Sequence, residues 1–484
     1  MIRICLVCAF PPSSGALNEY SYHIAREIRH HENVELTILA DELAPHNSVD
    51  DAHANTVLAE DDLRLAGVKI IRCWRVDSMA NPARILRVVR ALNPDVVWFN
   101  LVFSSFGTPG NPVAAFLGLS APALTRAAGF YTHVTLHHIV EHIDFKSAIA
   151  SGGSREKILR KGTDAATWAL LKANSVSVLL SDYRRTLVKK YSARNVVTGT
   201  HGIFTTISKR PEMSRRANPE HRILAFGKWG TYKRLEKLME AFPSILEKIP
   251  NARLIVAGGN HPAATGYWES VRAAQTSGLP VDFLGYIPDK DIPDLFRTSS
   301  LLIMPYDSST GSSGPAHQAC EYGLPIVCAD IPDFRCMSRD DDIAILFYKL
   351  GDIADLAEKV VTVLESPQLQ FEMSNHNYEA GIHMTMTNVA RTYIRWFELQ
   401  KLKREVPGRG TIERLRGNFW SFRYLREVLP SSSWSLRRNK ASTEPGVTEL
   451  GSSRMPVDSV PSDLAVHALD NKKSSTPENY RTKV

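Results

Sequence analysis

Long apolar runs are missing from this chain of 484 residues. No stretch approaches the roughly 20 consecutive apolar residues that a membrane-crossing helix needs. The first apolar run, Ile2 to Ala9, stops at Pro11-Pro12 without a small-residue cleavage pattern, so neither export nor a spanning helix is expected and the expected compartment is the cytoplasm. Cysteine is sparse and scattered, with six in all. Cys5 and Cys8 spell C-x-x-C, but on a strand an odd spacing sends them to opposite faces, so buried free thiols of a reducing compartment are expected. No internal repeat exists beyond two similar halves, and nothing matches a nucleic-acid-binding module. What remains is ordinary globular material, 44% hydrophobic and too long for one compact core, hence two domains with an appendage.

Charge is uneven. Residues 401 to 440 hold 11 Lys/Arg against 3 Asp/Glu, a net +8, while the whole chain carries +7. Phe419, Trp420, Phe422, Tyr424 and Trp434 are interleaved with those arginines, a composition that suits either an anionic bilayer or a solvated basic extension packed partly on the body. From Ala441 onward the chain is rich in Ser, Pro and charge, the composition of a disordered tail.

The segment Leu301 to Asp333, LLIMPYDSSTGSSGPAHQACEYGLPIVCADIPD, reads as strand, small-residue loop, helix and strand. Between Ser308 and Gly314 only Ser, Thr and Gly occur, which lets the backbone approach an anion closely. From Ala316 onward a helix can begin with its free N–H groups pointing at the same loop, so Gly314, Pro315 and Ala316 are candidates to hold the anion. Upstream, RILAFGKWGTYKRLEKLMEAF from Arg222 to Phe242 reads as strand, turn and helix, with Leu235, Leu238, Met239 and Phe242 on one helix face. Lys228 and Lys233 bracket that turn and would neutralise a diphosphate leaving group. Ala252 to Gly259, Val281 to Leu284, Asp289 to Thr298 and Ser300 to Pro305 continue as strand, strand, helix and strand. Such alternation implies parallel sheets whose ligands gather at the strands' carboxyl ends. Asp289-Lys290-Asp291 spells a metal-binding Asp-x-Asp but reads as helix N-terminal charge. Asp340 to Asp342 read as a solvated connection.

These segments resemble glycosyltransferase family four, retaining enzymes of GT-B architecture with two facing Rossmann-like domains. In that family two glutamates flank a Gly-rich turn ahead of Gly-x-Pro-Val-Val. Here the second is matched to Glu321, which the resemblance makes a ligand of the ribose, and the first is replaced by Ser313, at the place that faces the donor sugar or the reacting centre. An Arg or Lys followed five residues later by Lys is matched by Lys228 and Lys233. GYIPDKDIPDLF is similar to the segment near the nucleotide base, implying backbone contacts from Tyr286 and Ile287. At the front, PPSSGALNEYSYHIAREI resembles the first glycine loop of the acceptor domain, with Gly15 where a backbone N–H meets the donor phosphate. In HVTLHHIVEHID, His133 to Asp144, His137 matches a histidine at the lip of the cleft, with His138 beside it facing the other way and Glu141 further along. A hydrogen-bond donor there would orient sugar and acceptor. His201-Gly202 stands where the family has Asn-Gly at the approach to the hinge and reads as turn chemistry.

The domains expected are an acceptor-binding Rossmann-like domain over 1–205, a nucleotide-sugar domain over 218–385, a helix over 388–402 that crosses back to the first domain on Tyr393, Trp396, Phe397 and Leu402, a basic extension over 403–440 and a tail over 441–484. The activity expected is transfer of a sugar from a nucleotide diphosphate, with retained configuration, to a glycan, lipid-linked or small-molecule acceptor. No metal or other cofactor is expected, and neither is nucleic acid. Peripheral contact with an anionic membrane through 401–440 is one possibility for the extension. With Ser313 in place of a glutamate, a catalytically silent sugar-nucleotide-binding subunit stays open as the alternative. An epimerase would need further acid and base residues at the cleft.

Overall fold

In the computed structural model the described residues are 1–405, except 14, 44–64, 66, 109, 140–153, 205–220, 262–263, 276–277 and 310, with backbone alone for 154–159. The basic extension beyond Glu405, the tail, the hinge stretch and Glu141 lie outside the described residues.

The front lobe is a seven-stranded sheet. Its strands are β1 (Ile2–Val7), β2 (Val34–Asp41), β3 (Lys69–Trp74), β4 (Val96–Leu101), β5 (Tyr131–Leu136), β6 (Ser175–Val178) and β7 (Val196–Thr198). Helices α1 (Asn18–Ile28), α2 (Asn81–Leu92), α3 (Pro112–Gly118), α4 (Ala121–Ala127), α5 (Ser154–Leu170) and α6 (Ser181–Tyr191) connect them. The order is β3-β2-β1-β4-β5-β6-β7, all pairs parallel. β4 and β5 are buried at every position, as parallel strands covered on both faces must be. Cys5 and Cys8 do fall into cores on opposite faces of this sheet. The extended run expected as far as Asp144 ends as a strand at Leu136.

The rear lobe is a six-stranded parallel sheet in the order β10-β9-β8-β11-β12-β13. Its strands are β8 (Arg222–Phe226), β9 (Arg253–Ala257), β10 (Val281–Gly285), β11 (Leu301–Met304), β12 (Ile326–Ala329) and β13 (Ile345–Tyr348). Its helices are α7 (Leu235–Lys248), α8 (Tyr267–Ala274), α9 (Ile292–Arg297), α10 (Gly314–Glu321), α11 (Pro332–Asp340), α12 (Ile353–Glu365) and α13 (Pro367–His383). Counted within the lobe this is the Rossmann order 3-2-1-4-5-6. The direction of winding reverses between β8 and β11, so the loops after those two strands splay apart and leave a crevice at their carboxyl ends.

The last described helix, α14 (Met386–Glu405), follows the rear lobe in sequence and packs on the front one in space. Tyr393 and Phe397 lie against Trp98 and His133, with ring centroids 4.5 to 6.3 Å apart across this set. Lys401 Nζ donates to Asp95 Oδ2 at 3.2 Å and Arg404 to the Gly129 carbonyl at 2.9 Å. Leu402, expected on the buried side, is 60% exposed, and the last turn of the helix is held instead by these polar contacts ahead of β4 and β5.

The lobes also meet directly. Ser181, at the start of α6, donates its N–H to Asp340 Oδ2 at 2.6 Å and its hydroxyl to Asp340 Oδ1 at 2.9 Å, and Tyr183 donates to Asp333 Oδ2 at 3.0 Å. Asp340 is therefore no solvated acid: it satisfies an N–H of α6 that the helix itself leaves unpaired.

The crevice of the rear lobe depends on one close approach. A Cβ on Gly258, whose φ is +101°, would stand 1.9 Å from the Gly227 carbonyl oxygen. Gly258→Ala should therefore destabilise the chain by about 1–3 kcal/mol in chemical denaturation. Gly259→Ala, where a methyl group would meet open space, should stay within about 0.5 kcal/mol of the unmodified protein. Equal effects of the two substitutions would show that the close approach does not matter.

Candidate active site

After β8 the chain turns at Gly227, passes Lys228 and Trp229, and makes a 3-10 turn over Thr231–Lys233 before α7 begins. The turn is tied to the neighbouring strand ends. Gly227 N–H donates to the Ala257 carbonyl at 3.2 Å, Trp229 N–H to the Gly259 carbonyl at 2.7 Å, and Gly258 N–H to the Gly285 carbonyl at 2.6 Å. The effect is to aim Lys233 inward, where it is 8% exposed.

Three groups converge above Gly227. From the point a Cβ would occupy there, Lys233 Nζ is 2.9 Å away, Pro315 Cγ of α10 is 3.5 Å and the Tyr306 hydroxyl is 3.6 Å. The ammonium also sits 4.8 Å from the centre of the Tyr306 ring, a cation–π contact. No carboxylate pairs with it among the described residues. Asp307, next to Tyr306 in sequence, is taken by Lys237 at 2.6 Å and Arg234 at 3.0 Å. Burial, reinforced by Lys228, pushes the Lys233 ammonium down to about 7. The same two cations and burial hold His261 below the usual imidazole range. The Tyr306 and Ser312 hydroxyls are buried without a hydrogen-bond partner among the described residues. A buried cation, two unpaired hydroxyls and the beginning of a helix together form a place for an anion.

Ser313 is the N-cap of α10. Its Oγ accepts from Ala316 N–H at 3.4 Å and donates to Met304 Sδ at 3.5 Å, and its carbonyl oxygen faces His317 Nδ1 at 2.7 Å. The side chain thus fixes where the helix begins. Gly314, Pro315 and Ala316 form its first turn. One turn beyond Gly314, Gln318 is half-buried on the same side of the helix.

Glu321, the last residue of α10, is 6% exposed, and its Oε2 is buried without a partner among the described residues. Burial pushes this carboxyl up to about 7, while a hydrogen bond with Tyr322 and the charges of Arg297 and of Arg26 on α1 pull it down.

Lys228 is exposed at the rim, with Glu19 of α1 and Asp289 near it. Glu19 keeps a solvent-exposed surface, yet the protein around the cleft raises its carboxyl, with Asp289 adding to the rise and Lys228 opposing it. Asp289 was expected to be helix N-terminal charge, but α9 starts at Ile292 with Asp291 as N-cap, which leaves Asp289 facing the cleft. Tyr286, 57% exposed, adjoins both acids, while Ile287 packs partly into the rear core. Gly15 gives its N–H to Ser13 Oγ at 3.0 Å, and a Cβ on it would stand 3.2 Å from Asp41 Oδ2, a carboxylate that a phosphate would avoid.

His137 lies just beyond β5, where the lobes touch. A Cβ on Gly311 would stand 2.7 Å from the His137 carbonyl oxygen. The ring is buried, and burial, with His201 and His138 nearby, lowers its pKa well below the ordinary value. Asn100 donates to Ser21 Oγ at 3.2 Å, so its Oδ1 accepts from His137 Nε2 at 2.8 Å and Nδ1 is left as the ring's acceptor. His138 Nε2 accepts from Phe103 N–H at 3.4 Å. His201 stacks on His317 at 4.7 Å, and His317 Nε2 meets Asp341 Oδ2 at 3.1 Å. Asp341, expected in a solvated connection, is 5% exposed because His317 draws it in.

The structure brings together Lys228, Lys233 and the α10 start of Gly314, Pro315 and Ala316, with Glu321 buried at the other end of the same helix. Tyr306, Glu19, Gln318 and the His201–His317 stack were not singled out from the sequence as site residues. For Tyr306 the available signal was its place two residues past β11, at the reversal of winding.

The family described as Glycosyl transferases group 1 matches residues 220–366. Phosphatidyl-myo-inositol mannosyltransferase of Mycobacterium leprae (strain TN) is 23% identical over 225 residues, 46% of this chain and 58% of that protein. Sulfoquinovosyl transferase SQD2 of Arabidopsis thaliana is 28% identical over 133 residues, 27% of this chain and 24% of that one. The chain thus spans less than two thirds of the length of either relative. Among solved structures, Anabaena HepE in complex with UDP superposes with a TM-score of 0.59 at 14% identity, over 82% of this chain and all of that one. The two facing Rossmann-like lobes share the GT-B fold with such structures, and the match to the group 1 glycosyl transferases falls within the rear lobe, over 220–366.

Proposed function

We propose that the protein is a glycosyltransferase that moves a sugar from a nucleoside diphosphate sugar to an acceptor hydroxyl, with configuration retained. The observation that carries this reading is the convergence of Lys233 Nζ, the Tyr306 hydroxyl and the start of α10 above Gly227. A diphosphate there meets a cation already stripped of water, so its developing charge is stabilised without reorganisation of solvent. The solved HepE complex contains UDP, and the mannosyltransferase and sulfoquinovosyl transferase are named for moving sugars, which supports the same class of donor for this chain.

In the proposed reaction the bond between the anomeric carbon and the diphosphate oxygen breaks while the acceptor oxygen bonds to that carbon from the same face. The acceptor's proton passes to the departing oxygen. Lys233, Lys228 and the first turn of α10 hold the leaving group, and no metal is required to do so. Ser313 acts through the helix it caps. His137 Nδ1 accepts a hydrogen bond from the donor sugar, and Tyr286 and Ile287 border the base. The ribose hydroxyls are held by Glu321 at the end of α10, whose buried Oε2 has no partner among the described residues, with Gln318 one turn before it. The acceptor is a glycan, a lipid-linked sugar or a small molecule, bound by the front lobe.

One observation favours a second reading, a subunit that binds sugar nucleotide without turning it over: Ser313 is occupied as a cap, so it offers no acid at the loop. Lys233→Met separates the two readings. Replacing a buried cation by an apolar side chain of similar length should leave stability unchanged or raised, and lower release of nucleotide from sugar nucleotides by about 100- to 1,000-fold. Tight nucleotide binding by the unmodified protein without any turnover would establish the silent subunit, and unchanged turnover in the variant would remove Lys233 from the site.

Protonation gives an independent test. The Lys233 pKa falls from 10.5 unfolded to about 7 folded, so between those values the unfolded chain holds more protons and stability should rise with pH on account of this group. Bound diphosphate should restore the charge. Calorimetry near pH 8 in buffers of different ionisation enthalpy should show proton uptake on binding, absent from Lys233→Met. Tyr306→Phe should weaken nucleoside diphosphate binding by about tenfold, the effect of one hydrogen bond to a charged group. Equal affinity would place the anion elsewhere.

A further inference from the structure

A cavity of about 290 Å³ opens on the front lobe between the ends of β6 and β7 and the crossing helix α14. None of its lining residues belongs to the site around Lys233. We propose that it binds a neutral sugar ring, serving as a glycan-holding subsite separate from the donor crevice. The sugar assignment rests on the lining alone, whereas its use in holding an acceptor glycan rests on the transferase reading.

Size sets the first limit. The volume lies at the lower end of the roughly 300–1,000 Å³ of small-molecule sites, enough for one ring and too little for a long chain. Charge sets the second. No Lys, Arg, Asp or Glu lines the cavity. The buried His133 is kept neutral, since burial pushes it down to about 3, and its Nδ1 and Nε2 are held by the Ser175 and Ser177 hydroxyls at 2.7 and 3.1 Å. An anion such as a phosphate would find no buried counter-charge there, the other lining histidine, His383, being exposed to solvent.

What remains is neutral and two-sided. Trp396, Val197 and Val389 give apolar surface, with the indole offering its face, since its N–H is enclosed. Around them stand the hydroxyls of Thr198, Thr200 and Thr392 and the amide of Asn388. At the back, Ser177 Oγ joins Tyr393 at 2.9 Å and Thr135 at 3.0 Å. A pyranose has a C–H face to lay on the apolar wall and hydroxyls at its edge for the rim. A hydrocarbon would leave the rim's polar groups facing apolar matter. Gly199 keeps the space open: a Cβ there would lie 3.0 Å from the Tyr393 hydroxyl.

The test is ligand-observed NMR on the full chain, with UDP present to occupy the donor crevice. A panel of neutral mono- and disaccharides is screened in parallel with a short alkyl alcohol. At least one neutral sugar should bind, and both Trp396→Ala, which removes the platform, and Thr392→Trp, which fills the mouth, should weaken it at least tenfold. UDP affinity, measured separately, should not change in either variant and reports that each is folded. Absence of sugar binding, sugar binding indifferent to both substitutions, or binding of the alkyl alcohol alone lost on Thr392→Trp would each overturn the proposal. Loss of UDP binding by the unmodified protein would instead strike the transferase reading.

Discussion

An ammonium group removed from water with no carboxylate beside it is costly, and much of the rear lobe is arranged to hold one. Lys233 cannot be aimed inward unless the chain turns tightly after β8, and that turn fits only because Gly258 lets the Gly227 carbonyl lie against it. The Tyr306 ring gives partial compensation to the charge. Lys237 and Arg234 hold the carboxylate of Asp307 on themselves. The remaining deficit of negative charge is what an incoming diphosphate supplies, so a cost in the empty protein becomes affinity in the loaded one.

Topology explains why the two lobes place their loops face to face. In the front sheet winding reverses between β1 and β4, in the rear sheet between β8 and β11, and loops follow those strands toward the shared cleft. The contact between Gly311 and the His137 carbonyl, the His201–His317 stack and the clasp of Asp340 on α6 fix how the rims meet. None of these contacts involves residues close in sequence.

That separation decides what could be read from the chain alone. Alternating apolar runs and turns imply two parallel sheets, and the turn between Gly227 and Lys233 stands out because its two lysines, five residues apart at a strand-to-helix turn, resemble the family's diphosphate-holding pair. Spacing along α10, by contrast, counts turns without fixing which neighbour each side meets. Glu321 is matched to the ribose from its place in the motif, but its burial and raised carboxyl pKa are set by tertiary packing that spacing does not reveal. Asp340 and Asp341 read as solvated because their partners, Ser181 and His317, are distant in sequence. Asp289 looked like helix charge because the helix was drawn three residues too early. The retention of configuration, by contrast, comes from resemblance and from no single residue.

Helix α14 has a consequence for how the molecule is made. The aromatic side of the front sheet, with Trp98 and His133, is covered by Tyr393 and Phe397, which leave the ribosome some three hundred residues after β4. During synthesis the first lobe therefore waits with an uncovered hydrophobic flank while the second is completed. A chain that stops short of residue 386 would lack the strap that finishes its own beginning.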